Sequence, residues 1–140
     1  IFPDQIRRGD DGWKAYAAQR QRILDSIRTR KIPNVMFVSG DIHGSLTCRL
    51  SHNEDPDFVT HSIVSSPLCN SKLLPYANAE NLSLDKPLPT SGSSAYQPTL
   101  TSAVVTEDNF ACLTVEAQHL LVDFRNKEGR LVETVTIALK

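Results

Sequence analysis

The chain has 140 residues, which is enough for one compact domain with a hydrophobic core. Apolar residues make up 40% and charged residues 22% of the sequence, an ordinary balance for a globular domain. The net charge of −1 gives no electrostatic argument for a nucleic-acid or membrane-surface partner, and no apolar run is long enough to cross a bilayer.

The first predicted element is a helix over residues 12 to 30. Residues at spacings of three and four define its packing face: Trp13, Tyr16, Ala17, Arg20, Ile23, Leu24 and Ile27. We expect Asp10 or Asp11 to cap its start and Pro33 to stop it, and basic residues in the last turn suit the helix dipole. Trp13 and Tyr16 should therefore pack against the rest of the domain.

A strand that runs into a glycine-rich loop follows this helix. Val35 to Val38 is a continuous apolar run, which predicts a strand buried on both faces. The loop after it reads Gly-Asp-Ile-His-Gly, and Gly40 and Gly44 allow a tight turn and a close approach to an ion or a phosphate.

Two further strands are predicted over residues 46 to 51 and 58 to 66, with the polar loop SHNEDPD between them. In the second of these, Val59, His61 and Ile63 alternate with residues of the opposite face. Residues 67 to 100 hold most of the prolines and many small polar residues, which predicts an irregular surface excursion with one short helical turn near residues 69 to 79.

The last part of the sequence, residues 101 to 140, is predicted to be an antiparallel meander. Its β-branched, alternating segments are TSAVV, FACLTVE, HLLVDFR and RLVETVTIAL. NKEG is the expected hairpin turn between the last two, because Gly129 is free to take a positive φ.

Asp41 and His43 in the glycine-rich loop are candidate metal ligands. A carboxylate oxygen and an imidazole nitrogen suit iron, zinc or manganese, and a carboxylate alone also suits calcium. The pair follows the end of a buried strand, where α/β sheets place their chemistry. The structural alternative is that the Asp caps the next segment and the His packs in the loop, and neither role requires a metal.

The order of these features resembles the alkaline phosphatase D family of the calcineurin-like metallophosphoesterases. Its members carry a Trp, a Gly-Tyr-type pair and an Arg on a helix, followed by an apolar strand that ends in Ser-Gly-Asp-x-His. The matching segments are DDGWKAYAAQR, NVMFVSGDIHGS and SIVSSPLCN, between residues 10 and 70. The pattern departs at Ala15, where Gly is more usual before the Tyr.

The resemblance implies an α/β (α+β) fold: a partial metallophosphoesterase-type β-sandwich with a flanking helix, ending in the antiparallel meander. It implies hydrolysis of phosphomonoesters or diesters by a two-metal centre. The metals would be iron with calcium, or else manganese or zinc. One metal would activate a water molecule, and both would stabilise the charge on the phosphoryl oxygens. Asp41 and His43 would then be ligands from the last metal motif. Because many relatives are exported, the resemblance also makes an exported parent protein an expectation, while the residues themselves leave the compartment open.

The earlier ligand motifs of that family do not occur in these residues, since neither Gly-Asp-x-x-Asp nor Asn-His is present. If Asp-Ile-His were the first motif of a small phosphoesterase, the others would have to follow it. We therefore predict that residues 1 to 140 form a single domain, the C-terminal portion of a larger enzyme. It would comprise a helix–strand metal-motif half (1 to 66), the irregular excursion (67 to 100) and the strands (101 to 140).

The expected partners are a phosphate-ester substrate and the missing N-terminal half of the parent, with no nucleic acid and no membrane. The isolated fragment should be inactive and should self-associate, because surfaces that face the missing half would be exposed. A second hypothesis is a non-catalytic accessory or interaction domain whose GDIH loop is only structural. The sequence upstream of Ile1 distinguishes the two.

No catalytic residue is assigned, but three side chains are candidates for positions near a substrate: Arg20 on the helix, and Ser65 and Ser66 at the end of the neighbouring strand. The other three histidines receive structural interpretations: a packed or edge position for His61, a solvated one for His52, and a structural or surface one for His119. The cysteines lack C-x-x-C spacing and are expected to be buried as small apolar residues. They are Cys48, Cys69 and Cys112. The alternative is that two of them form one disulfide and the third is a spare thiol.

Overall fold

The computed structural model describes residues 13, 16–40, 43–66, 68 and 95–140. Within these residues the chain forms one helix and seven strands in two sheets. The elements are α1 (Ala17–Thr29), β1 (Met36–Ser39), β2 (Leu46–His52), β3 (Asp55–Val64), β4 (Tyr96–Leu100), β5 (Asn109–Val115), β6 (His119–Asn126) and β7 (Leu131–Ala138). The fold is therefore β-rich with one helix, in agreement with the coarse α+β prediction. The helix in this part of the chain is too short and too polar to cross a membrane.

The helix α1 begins later than predicted, at Ala17 instead of residue 12. Tyr16 occupies the N-cap position with a non-helical backbone, and its side chain makes no capping hydrogen bond. Because Tyr16 precedes the first helical turn, its side chain leaves the packing face and is 56% exposed, so its predicted core position is wrong. Trp13 is half-buried, and the proposed caps Asp10 and Asp11 lie outside the described residues.

The buried face of α1 covers one side of the first sheet. Leu24 and Ile27 lie one turn apart and pack in a cluster with three sheet residues: Leu50, Phe58 and Tyr96. Burying a leucine side chain of this kind stabilises the fold by about 2 kcal/mol. The phenol hydroxyl of Tyr96 also donates a hydrogen bond to Asp25 Oδ1 at 2.6 Å, which ties α1 to the strand β4.

The first sheet has the strand order β1-β3-β2-β4, with β1 parallel to β3 and the other pairs antiparallel. The prediction that the apolar run from Val35 to Val38 is buried on both faces is wrong. β1 has a described neighbour on one side only, and Val38 is 58% exposed. As predicted, β2 and β3 are strands, and the side chains of β3 alternate between its two faces, but the turn between the two strands is only Asn53 and Glu54.

His52 does not lie in a solvated loop as predicted, because β2 extends to include it. It is 7% exposed, and its ring meets the Tyr96 ring edge-on with the centroids 4.8 Å apart. The prediction of an irregular excursion through residue 100 also fails at its end, where β4 pairs with β2. Residues 67 and 69–94 of that excursion, with the short helical turn, lie outside the described residues.

The second sheet is the predicted antiparallel meander, in the order β5-β6-β7. Gly129 has a φ of +81° in the NKEG turn, as expected from the sequence. The segment TSAVV is not a strand, because only Val105 pairs, in an isolated bridge with Ser45. Cys112 is exposed on the outer side of β5, whereas Cys48 is buried, both as free thiols, and Cys69 lies outside the described residues.

A hydrophobic cluster joins the two sheets face to face. Ile63 of β3, with Met36 of β1 beside it, packs against buried residues of the second sheet, which include Leu120, Val122, Phe124 and Ile137. The described part of the chain therefore has three layers: α1, the four-stranded sheet and the three-stranded sheet. The loop after β1 emerges at an end of this sandwich, close to where the two sheets meet.

Candidate functional site

The candidate site is built on the loop that leaves β1 at its carboxyl end. Since β1 and β3 are parallel, both strands end on the same side of the sheet, and the N–H of Ser65 donates to Ser39 O at 2.9 Å. A Cβ atom added at Gly40 would stand 3.0 Å from Ser65 O, closer than side-chain carbons normally come to a backbone oxygen. Because glycine has no Cβ, the backbone at Gly40 can pass close to the backbone at the end of β3 as the loop leaves β1.

His43 has a left-handed backbone conformation, with φ at 54°. This region is unfavourable for residues with a Cβ, although His is among the residues found there more often than most. Such strained positions persist only where the surrounding structure holds them, and they concentrate at functional sites. Of the two predicted ligands, the structure places half-buried His43 on the loop, and Asp41 lies outside the described residues.

Ser65 and Ser66, predicted to lie near a substrate, directly follow β3 beside this loop. The Ser65 hydroxyl accepts a hydrogen bond from the Ala111 N–H at 2.9 Å, and the Ser66 N–H donates to Ser45 Oγ at 2.9 Å. The first contact joins the end of β3 to β5 of the second sheet, and the second joins it to the segment just before β2. A direct role of either serine toward a substrate stays a prediction.

Arg20 is one of the largest fully buried side chains of the described chain, with 1% of its surface exposed. It lies on the packing face of α1, and burial lowers the pKa of its guanidinium group from the usual value of 12.5. A buried guanidinium beside a sheet is an unusual use of a charged residue. Its proximity to a substrate stays a prediction.

Two residues of the site were missed by the sequence reasoning. Ser45 and Asn109 are 0% and 1% exposed, and the Ser45 hydroxyl donates to Asn109 Oδ1. They are 64 positions apart in the chain, so no local pattern joins them. The available signals were that Ser45 directly follows the GDIHG loop and that Asn109 directly precedes the predicted strand FACLTVE. Neither signal indicates that the two residues meet.

The remaining histidines lie in structural settings. His61 is half-buried in β3, and its pKa is lowered by burial and secondarily by the positive charge of Arg49. His119 pairs with Glu116 at 2.8 Å at the start of β6, which agrees with its predicted structural or surface role. A groove of about 710 Å³ lies at the opposite end of β1, and Met36, Arg49 and His61 are among its lining residues, whereas the loop residues are not.

The described residues do not by themselves make a metal centre. Across residues 13, 16–40, 43–66, 68 and 95–140, no group of three or more His, Cys, Asp or Glu side chains is placed to hold an ion. His43 is the single predicted ligand within these residues. The donor set is thus incomplete for a two-metal site, and any such site would need donors from outside this part of the chain.

Comparison with known proteins places the chain in a family. A family model described as PhoD-like phosphatase matches residues 3–124, which is most of the sequence. The chain therefore belongs to the PhoD-like phosphatase family, as its resemblance to alkaline phosphatase D indicated.

A curated relative, the alkaline phosphatase D of Bacillus subtilis (strain 168), is 38% identical over 40 residues. This stretch covers 29% of the present chain, and it corresponds to 7% of the length of the relative. No solved structure matches the chain.

Proposed function

We propose that this chain is the C-terminal portion of a metal-dependent phosphoesterase that hydrolyses phosphomonoesters or diesters. In this proposal the GDIH loop contributes the last metal ligands, Asp41 and His43, to a two-metal centre of iron with calcium, or of manganese or zinc. The other ligands come from the preceding part of the longer protein. The family match over residues 3–124 supports the phosphatase class.

The observation that carries the proposal is the position and conformation of His43. It lies in a loop at the carboxyl end of a strand, which is where sheets with parallel strands present reactive groups. Its left-handed backbone is unfavourable by about 1–3 kcal/mol for a residue with a side chain.

The chemistry follows from the ligand types. Bound metal ions would supply charge stabilisation for phosphoryl oxygens and would lower the pKa of a bound water. For its part, this chain would hold the His43 imidazole at the end of β1, with Gly40 providing the close passage past Ser65.

The test is the hydrolysis of p-nitrophenyl phosphate and of bis-p-nitrophenyl phosphate by the longest natural protein that contains these residues. The protein would be supplied with iron, calcium, manganese or zinc. We expect His43→Ala to lower kcat/KM by at least about 100-fold, the usual scale for loss of a functional group that stabilises the reacting centre. His119→Ala is the matched control, because His119 is paired with Glu116 in the other sheet.

The isolated 140-residue chain is expected to show no turnover under the same conditions. Equal activity of the His43→Ala and His119→Ala proteins would contradict the role of His43. A longer protein that lacks phosphoesterase activity with every metal would favour the accessory-domain hypothesis instead.

A further inference from the structure

Buried hydrogen bonds fasten the segment that follows His43 to the second sheet. Ser45 lies two residues after His43, and its hydroxyl both donates to Asn109 Oδ1 and accepts from the Ser66 N–H, the latter at 2.9 Å. The backbone of Ser45 adds a reciprocal pair with Val105, with N–O distances of 2.8 and 2.9 Å. Four separate contacts thus hold one residue of the loop in place.

The polar atoms of this cluster are matched with one another. The Asn109 side chain accepts from Ser45 and donates through Nδ2 to Glu107 O at 2.6 Å. The donor and one acceptor position of the Ser45 hydroxyl are therefore used, as are both ends of the Asn109 amide. Polar groups buried this completely are costly unless they are hydrogen-bonded, and once satisfied they fix orientation more tightly than apolar packing does.

We infer that Ser45 and Asn109 are positioning residues that hold His43 in its left-handed conformation at the end of β1. We call this contact the Ser45–Asn109 clamp. Only Gly44 separates His43 from the clamp, whereas on the other side the chain is fastened where Ser65 bonds to Ser39. The loop is thus held at both ends, and the downstream anchor belongs to the second sheet. In this inference the strain at His43 is sustained by the hydrogen bonds that hold Ser39 before it and Ser45 after it.

The clamp makes the second sheet part of the site. Asn109 is the first residue of β5, and Ala111 two positions later donates to the Ser65 hydroxyl at 2.9 Å. The start of β5 thus contacts both the segment after His43 and the segment after β3. A displacement of β5 would be transmitted to His43 through directional hydrogen bonds. The position of His43 therefore depends on residues about 65 positions away in the chain.

The first experiment needs no substitution: amide hydrogen exchange of the 140-residue chain, followed by NMR. The Ser66 N–H lies beyond the end of β3 and outside any strand, yet the clamp predicts that it exchanges as slowly as the strand amides of β3. Exchange at the rate of an exposed loop amide would overturn the inference.

The second experiment follows the backbone resonances of His43 in Ser45→Ala and Asn109→Ala. We expect the left-handed chemical-shift signature of His43 to be lost or averaged in both variants. Ser62→Ala is the matched control, because Ser62 is also a buried serine of this sheet, and its hydroxyl has no hydrogen-bond partner among the described residues. Unchanged His43 resonances in folded Ser45→Ala and Asn109→Ala would overturn the inference.

A catalytic consequence rests on the proposed phosphoesterase function and is measured separately, in the longest natural protein. Ser45→Ala should lower kcat by about 10- to 100-fold with little change in KM, since the group that is displaced acts on the reacting centre. Ser62→Ala should leave both constants unchanged. If the NMR results hold while the natural protein shows no activity, the proposed function fails and the clamp stands. If the protein is active and Ser45→Ala leaves kcat unchanged, the catalytic consequence fails.

Discussion

The hydroxyl group of Tyr96 offers a stringent test of how α1 is attached to the sheet. Tyr96 is 0% exposed and donates to Asp25 Oδ1 at 2.6 Å, and its ring lies 5.4 Å from the Phe58 ring. The substitution Tyr96→Phe keeps the ring and its contacts, so it removes only the interactions of the hydroxyl, which are the bond to Asp25 and an interaction with the Arg28 side chain. Any decrease in the free energy of unfolding then measures how much the Tyr96 hydroxyl contributes to the attachment of α1 to the sheet.

The expected magnitude follows from the environment of the acceptor. A hydrogen bond to a charged group contributes about 1.5–3 kcal/mol. The Asp25 side chain is 40% exposed and also accepts from Gln21 at 3.1 Å, so water and Gln21 would partly replace the lost donor. We therefore expect the low end of the range, about 1.5 kcal/mol. At about 2.1 cal/mol/K of unfolding entropy per residue, this lowers Tm by about 5 °C for a chain of 140 residues.

The assay is urea and thermal unfolding followed by circular dichroism, with Tyr16→Phe as the matched control. Tyr16 is 56% exposed, and losing its hydroxyl should change the free energy of unfolding by less than about 0.5 kcal/mol. Equal stability of the two variants would refute the reasoning, since the Tyr96 hydroxyl would then contribute nothing to the attachment of α1.

The same residue predicts a dependence on alkaline pH. Burial first, and then the hydrogen bond to Asp25, raise the pKa of Tyr96 above its usual value of 10.0. Because the folded state favours the neutral phenol, this stabilisation is complete below pH 10 and is lost as the pH rises toward the folded pKa. The wild-type chain should therefore lose more stability above pH 10 than Tyr96→Phe does.

Two further predictions concern a histidine and the cysteines. Burial first, and then the charge of Arg49, lower the pKa of His61 from 6.5, so its contribution to stability should be complete above pH 6.5 and should decline as the pH falls below it. His61→Gln should flatten this decline in urea unfolding, and equal acid profiles of His61→Gln and the wild-type chain would contradict the assignment. Burial raises the pKa of the Cys48 thiol from 9.0 to about 11, which lowers its thiolate fraction about 100-fold. In peptide mass spectrometry after iodoacetamide treatment, exposed Cys112 should be alkylated first and Cys48 only on unfolding. Comparable alkylation rates of the two thiols in the folded chain would refute the burial of Cys48.

Local sequence patterns were sufficient for elements whose cause is local. The spacing of Arg20, Leu24 and Ile27 predicts the buried face of α1, because a helix brings such positions to one side. Alternation and the NKEG turn predict the meander, and Gly129 takes the positive φ that such a turn requires. The glycine-rich loop after an apolar strand likewise identified His43 as a candidate ligand.

The predictions that proved wrong concern features that depend on neighbours distant in sequence. The apolar composition of β1 predicts burial, but which strands flank it is a property of the whole sheet, and Val38 is exposed at its edge. His52 reads as a polar loop residue because Asn53, Glu54 and Asp55 follow it, yet Tyr96 and Phe58 enclose its ring. The pairing of β4 with β2 likewise crosses more than 40 residues of chain.

By itself the sequence determined the type of α1, of the strands β1 to β3 and β5 to β7, and of the loop that carries His43, because helix periodicity, strand alternation and turn chemistry act over a few residues. Only the tertiary structure decided how that loop is held. Ser45 and Asn109 meet because two sheets pack face to face, and a hydrogen bond between residues 64 positions apart leaves no local trace in the chain. The candidate ligand can therefore be recognised from a short motif, whereas its positioning depends on the packing of the two sheets.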